Sequence, residues 1–111
     1  MINVKASIKN GERLKSYNAW NKEMPVVVKG VGGNVDSFQL PPMVRVAIPV
    51  DQTINGPAYI YIDQEAAVKK GLALVTGVQI VNEASSTDEL YIKNISDSLV
   101  TISNGDVLAQ V

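Results

Sequence analysis

Residues 92 to 111 read IKNISDSLVTISNGDVLAQV, and this stretch carries the clearest structural signal in the chain. Apolar residues, many of them β-branched, lie on both sides of Asn104-Gly105, a dipeptide that favours two-residue β-hairpins. The pattern predicts a hairpin between a strand over residues 99–102 and a strand over residues 107–111. We therefore expect Val111 to be tied into a sheet, in this subunit or in a neighbour, because an unpaired strand would be an exposed edge.

Apolar residues alternate with other residues, with the period of two typical of β-strands, through most of the chain. Short apolar runs predict further strands over residues 25–28, 44–50, 58–62, 72–81 and 90–95. Clusters of Gly, Asn, Asp, Ser and Pro separate these runs at intervals typical of an all-β sandwich or barrel. Only residues 63–70, with the sequence DQEAAVKK, favour a helix, and so few residues form a short one at most.

Length and composition predict one small folded domain. The chain has 111 residues, of which 46% are hydrophobic and 19% are charged, and such a composition is typical of a globular protein rather than a disordered one. The sequence shows neither a signal-peptide core nor an apolar run long enough to cross a bilayer. We expect a soluble protein that is made in the cytoplasm and does not contact a membrane.

The net charge and the residue types of the chain exclude several classes of ligand and catalytic mechanism. Ten Lys and Arg residues against eleven Asp and Glu residues give a net charge of -1, so no overall positive field would attract nucleic acid. The chain contains neither Cys nor His, which excludes disulfides, thiolate nucleophiles, Cys/His zinc sites and histidine-based acid–base catalysis. We predict no catalytic, cofactor-binding or metal-binding residue and no nucleic-acid partner.

The first 37 residues differ in character from the rest. They mix basic residues with Asn and Gly and alternate less clearly, so we interpret residues 1–37 as an N-terminal arm or extension, in which a first strand could lie, and residues 38–111 as a β-barrel domain. Trp20 and Tyr17 could anchor this segment to a partner, but packing in the protein's own core is the interpretation we favour. Residues 30–33 are predicted to form a flexible turn, since no Gly-Lys-Ser/Thr follows them as in a phosphate-binding loop.

Several motifs between Leu40 and Val111 follow one another in an order known from a protein family. Leu40-Pro41-Pro42-Met43 precedes an alternating strand, and Ala66 to Leu74, Gly77-Val78, Lys93-Asn94 and Gly105 to Gln110 follow in turn. In this order and spacing the chain resembles the deoxyuridine triphosphatase (dUTPase) family. The resemblance implies a jelly-roll-like, distorted β-barrel that assembles as a homotrimer.

The positions that carry chemistry in that family differ here. Asp63-Gln64-Glu65 stand where the resemblance places a phosphate-holding Arg-Ser pair, and their negative charge would repel phosphate. Ile80 stands where it places the carboxylate that orients the attacking water. No nucleoside-stacking tyrosine is evident in residues 82–86, where Glu83 is the one conceivable displaced acid. We also expect no arginine-containing arm after Val111. We expect Gln110, which matches a phosphate-contacting position, to serve strand packing or subunit contact instead.

Seven acidic residues could in principle pair to hold a magnesium ion. Nearly all of them fall in predicted turns, where carboxylates usually face water, so we interpret them as solvated. These residues are Asp51, Asp63, Glu65, Asp88, Glu89, Asp97 and Asp106.

Together these patterns favour a structural role for the protein over an enzymatic one. The leading hypothesis is a non-enzymatic bacteriophage protein of the virion, a homotrimeric capsid decoration or cement protein that stabilises the shell and contacts it through Met1 to Val35. Two alternatives stay open. One is a divergent dUTPase-like nucleotide pyrophosphatase, and the other is a regulatory module that binds a nucleotide or a protein.

Overall fold

The computed structural model describes residues 1–30 and 35–111 as a β-rich chain with one short helix, so the all-β prediction is confirmed. Most of the predicted turn at residues 30–33 lies outside the described residues. The strands are β1 (Asn3–Lys5), β2 (Arg13–Leu14), β3 (Ser16–Tyr17), β4 (Val26–Val27), β5 (Ser37–Leu40), β6 (Arg45–Asn55), β7 (Ala58–Ile62), β8 (Leu72–Leu74), β9 (Val78–Val81), β10 (Ser86–Asn94), β11 (Val100–Ser103) and β12 (Val107–Gln110). The helix α1 (Gln64–Lys70) lies between β7 and β8.

The strands form two larger and two smaller sheets. The first sheet has the order β1-β12-β7-β9 and the second has the order β3-β6-β10-β8. The ladders β11-β5 and β2-β4 are two-stranded. A barrel closes when its last strand pairs with its first, whereas the strand order of each larger sheet here has two free ends. The predicted barrel is therefore corrected, for the described residues, to separate open sheets.

One apolar core lies beneath these sheets. In β6 and β10 the buried residues alternate with more exposed ones, as the sequence predicts for residues 44–50 and 90–95. The register pairs Ile48 with Leu90 and Val46 with Ile92, and all four side chains are buried. The long strands β6 and β10 thus form the base on which the outward-facing side chains are positioned.

The N-terminal segment contributes to the same core. Strand β1 pairs with β12, and β3 pairs with β6. Val4, Ile8, Leu14 and Val28 are each at most 5% exposed and belong to the common apolar cluster. Strands from residues 1–30 therefore pair with strands formed by later residues, and their apolar side chains pack in the common core.

The Asn104-Gly105 turn does not close the predicted hairpin. Strand β11 pairs with β5, while β12 lies between β1 and β7. A two-residue type I′ turn needs positive φ at both central residues, but of these two only Gly105 has one, at 88°. The Oδ1 atom of Asn104 accepts a 2.9 Å hydrogen bond from the amide of Ile8, which ties the turn to the N-terminal segment instead of to a hairpin partner.

The chain beyond this turn is paired within the sheet, but with β1 and β7 rather than with the predicted hairpin strand. The amide of Val111 donates to the carbonyl oxygen of Ile2 at 3.0 Å, and the amide of Ile2 donates to the carbonyl oxygen of Val111 at 3.2 Å. The prediction that Val111 is tied into a sheet is confirmed.

Two further segments refine the predicted boundaries. The expected strand over residues 72–81 is split into β8 and β9 by a turn in which Gly77 has a φ of 79°. Strand β10 begins at Ser86, four residues before the predicted strand over residues 90–95. The short helix is confirmed, since the Asp63 side chain caps it by accepting from the amide of Ala66 at 3.2 Å and Gly71 ends it with a φ of 66°.

Candidate functional site

Two of the seven acidic residues considered as metal ligands, Asp63 and Asp106, accept hydrogen bonds from other side chains. The Oδ1 atom of Asp63 accepts a 3.0 Å hydrogen bond from the side chain of Gln110. Asp106 accepts from the ammonium of Lys70 at 2.9 Å and from the amide of Ser103 at 2.8 Å. Within residues 1–30 and 35–111, no group of three acidic side chains is placed to hold a metal ion.

Gln79 holds the segment around Ile80 to the neighbouring strand β10. Gln79 is buried, and its side chain donates to the carbonyl oxygen of Glu89 at 2.9 Å and accepts from the amide of Tyr91 at 3.1 Å. The next residue, Ile80, points outward and is 62% exposed. Glu83 lies in an exposed turn. This region therefore links β9 to β10 and presents an apolar side chain to the surface.

The outer face of the first sheet carries an uncharged apolar surface, which we call the tyrosine patch. It consists of Tyr59, Tyr61, Val78 and Ile80, and the strand register places Tyr59 opposite Ile80 and Tyr61 opposite Val78. The two tyrosines are 58% and 54% exposed. The outer face of an antiparallel sheet is usually polar, and a contiguous apolar surface marks a site of interaction.

The outer face of the second sheet carries a different surface, which we call the cationic groove. It is a depression of about 230 Å³ whose lining residues come from β3, β6, β10 and the segments next to β3 and β8. The register places Arg45 between Tyr17 and Lys93, and it places Ala47 beside Tyr91. The lining residues are Lys15, Tyr17, Arg45, Val46, Ala47, Val75 and Tyr91. We include Lys93 in the cationic groove as its border, because the register places it beside Arg45.

Trp20 lies on the turn that follows β3, and this turn contacts the groove through Asn21 and Arg45. It is 80% exposed, so the interpretation that it packs in the protein's own core is wrong. The Oδ1 atom of Asn18 accepts from the amides of Trp20 at 2.9 Å and Lys22 at 3.0 Å, and Asn21 contacts the guanidinium of Arg45. The buried Ser16 takes the inward position of β3, which leaves the aromatic side chains that follow it outside the core.

Comparison with protein-family models, with curated proteins and with solved structures gives no match for this chain. In the part of the chain that the structure describes, no helix has the length and apolar character needed to cross a bilayer.

Neither the tyrosine patch nor the cationic groove was predicted from the sequence, and the reasons differ. The run AYIYI in β7 places a tyrosine at each outward position, so the tyrosine patch left a local signal of aromatic residues where polar ones are usual. The cationic groove left no such signal. It joins residues as far apart in sequence as Lys15 and Lys93, and only the pairing of β3 with β6 and of β6 with β10 brings them together.

Proposed function

We propose that this chain is a non-enzymatic structural protein that assembles as a homotrimer, decorates a bacteriophage capsid and stabilises the shell. The single observation that supports self-assembly most strongly is the tyrosine patch. It is an exposed, uncharged surface of two aromatic and two aliphatic residues on neighbouring strands.

The chemistry of the patch suits burial against another copy. None of its four residues carries a charge, so burial incurs no cost for removing an ion from water. Tyrosine is enriched at protein interfaces because its ring supplies apolar area while its hydroxyl reaches a polar partner. Polar Gln110 lies opposite Tyr61 in the register, and Asn3 lies opposite Gln110. The patch thus has a polar border, as interface cores do.

The proposed contact with the shell lies within Met1 to Val35. Trp20 and Val35, which are 80% and 60% exposed, are among the large apolar side chains that this segment presents to solvent. Exposed tryptophans are frequent energetic centres of protein interfaces. Because β1 and β3 are paired within the sheets, the shell contact is tested by substitution at Trp20 rather than by deletion of the segment.

Light-scattering mass in solution tests the assembly. The wild-type chain is expected to be a trimer, and Ile80→Lys is expected to be a folded monomer because it places a charge in the patch. Gln39→Lys adds the same charge at an exposed position of β5 and is the matched control, which should remain trimeric. A monomeric wild-type protein at micromolar concentration contradicts the proposed assembly.

Sedimentation with undecorated shells of the phage that encodes the chain tests the decoration. The wild-type protein is expected to pellet with the shells, and Trp20→Ala is expected to pellet less while keeping its trimeric mass. Absence of binding by the wild-type trimer, or a gene located outside any phage genome, contradicts decoration. Release of pyrophosphate from deoxyuridine triphosphate by the purified chain contradicts the non-enzymatic assignment.

A further inference from the structure

We propose that the cationic groove binds an extended acidic segment of a partner protein, with carboxylates on Lys15, Arg45 and Lys93 and an apolar side chain between Tyr17 and Tyr91. This inference deepens the proposed function and rests on it in one respect, namely that the acidic segment belongs to the shell protein.

The three basic side chains of this face have no acidic partner within residues 1–30 and 35–111. The ion pairs among these residues are Lys69 with Glu65 and Lys70 with Asp106, and both lie elsewhere. The chain as a whole has a net charge of -1, so the face is opposite in sign to the molecule that carries it. Such a local concentration of charge is complementary to an acidic partner and steers it to one orientation.

The shape of the face suits a side chain between the charges. Ala47 is the smallest residue of its row, and the register places Tyr91 directly beside it. The backbone amide of Ala47 donates to the carbonyl oxygen of Lys15 at 2.9 Å, which places Lys15 on the side of Ala47 opposite to Tyr91. A small residue between two long ones leaves the depression of about 230 Å³, with the rings of Tyr17 and Tyr91 as apolar lining.

The arginine of the groove is held in place from outside the sheet. The guanidinium of Arg45 contacts Asn21 in the turn that carries Trp20. A positioned guanidinium binds a carboxylate through two parallel hydrogen bonds. The same turn therefore contacts Arg45 through Asn21 and also carries the exposed side chain of Trp20.

The positive face is short, and this favours a peptide over a nucleic acid. Glu23 pairs with Tyr17 at one side of the face, and Glu89 pairs with Pro49 two residues beyond the row of Ala47 and Tyr91. Both glutamates share the outward face, because residues two apart on a strand and residues directly opposite one another point to the same side. A nucleic-acid strand, with its continuous phosphate charge, would meet these carboxylates. A peptide can place acidic residues only where the cations lie.

Fluorescence anisotropy tests the groove without a shell. The probe is a labelled ten-residue peptide with six Asp or Glu residues around a central Leu-Phe pair. The wild-type chain is expected to bind it, and Arg45→Gln and Lys93→Gln are each expected to weaken binding at least fivefold. Lys9→Gln removes the same charge from an exposed position outside the groove and is the matched control, with affinity expected within twofold of wild type.

Two comparison probes identify the class of ligand. A peptide with Lys at the six acidic positions should not bind, and a ten-nucleotide oligothymidylate should bind more weakly than the acidic peptide. Failure of the acidic peptide to bind overturns the inference, as does an equal loss in Lys9→Gln. Tighter binding of the oligonucleotide also overturns it and assigns the face to nucleic acid.

Shell sedimentation with the same variants separates this inference from the proposed function. Equal decoration by wild type and by Arg45→Gln contradicts the groove as the shell contact and leaves the decoration role standing. Peptide binding without any shell binding contradicts the decoration role and leaves the acidic ligand standing. Weaker decoration by Arg45→Gln than by Lys9→Gln supports both.

Discussion

The side-chain amide of Asn94 donates a 2.8 Å hydrogen bond to the carbonyl oxygen of Leu40, which lies 54 residues earlier in the chain. The same amide donates to the carbonyl oxygen of Ser98 at 2.8 Å, and the Oδ1 atom of Asn94 accepts from the amide of Ser96 at 2.9 Å. Asn94 is fully buried. One side chain thus fixes the turn after β10 to the end of β5.

Replacement of this amide is expected to be costly. Asn94→Ala removes a buried donor from the carbonyl oxygen of Leu40 and also removes the contacts of Asn94 with Ser96 and Ser98, which we expect to lower the free energy of unfolding by about 3 kcal/mol. Urea denaturation measures the change. Asn55→Ala, at an exposed position of β6, is the control and should change stability by less than about 0.5 kcal/mol. Equal effects of the two substitutions would contradict the role given to Asn94.

Gly56 is expected to tolerate no side chain. A Cβ atom at this position would lie 1.6 Å from the carbonyl oxygen of Asn82, so Gly56→Ala requires the backbone to move and should cost more than about 3 kcal/mol or prevent folding. Gly77→Ala is the matched comparison, since nothing lies within 4 Å and only its positive φ of 79° opposes the substitution. It should cost about 1–2 kcal/mol. A smaller loss in Gly56→Ala than in Gly77→Ala, by urea denaturation, would rule out the close approach.

The N-terminal segment is expected to stabilise the whole fold. Val4 is fully buried and pairs with Ala109, so Val4→Ala should lower the free energy of unfolding by about 2 kcal/mol. Ile2→Ala removes a side chain that is 56% exposed and should have a smaller effect. Chemical denaturation of both variants measures the difference. No loss of stability in Val4→Ala would show that this segment folds separately from the rest.

The two ion pairs made by helix α1 are expected to contribute differently to the free energy of unfolding. Lys70 contacts both Asp106 at 2.9 Å and the carbonyl oxygen of Thr101 at 3.0 Å, whereas Lys69 and Glu65 are 3.7 Å apart with side chains 72% and 79% exposed. Lys70→Met should cost about 1 kcal/mol, and Lys69→Met should cost at most about 0.5 kcal/mol. Thermal unfolding of the two variants tests this order. The reverse order would show that the Lys70 contacts add nothing to stability.

The fluorescence of Trp20 is expected to report its exposure directly. It is the single tryptophan of the chain and is 80% exposed, so emission from the native protein should resemble that of free tryptophan and be quenched efficiently by iodide. Binding to a shell should shift the emission to shorter wavelength and reduce quenching, as burial of an indole does. Protected emission from the isolated protein at all concentrations would place Trp20 in an interface or a core.

Local patterns of the sequence sufficed for several elements. The alternation in residues 44–50 and 90–95 predicts which side chains of β6 and β10 face the core, because side chains of a strand point to opposite faces in turn. The helix over residues 64–70 follows from its composition and from Asp63 at its start, since the capping contact spans only three residues. Such features depend on neighbours in the chain, and the sequence displays those neighbours.

Long-range contacts decided the rest. The sequence signal at Asn104-Gly105 favoured a hairpin, but hydrogen bonds from Ile8 to Asn104 and from Gly105 to Ala6 give β12 other partners. The exposure of Trp20 and the grouping of Lys15, Arg45 and Lys93 on one face likewise follow from which strands pair. The sequence by itself determined the central parts of β6 and β10 and their inward faces, because these follow from local periodicity. Only the tertiary structure decided the pairing and hence both candidate surfaces, because pairing depends on burial and hydrogen bonding between segments far apart in the chain.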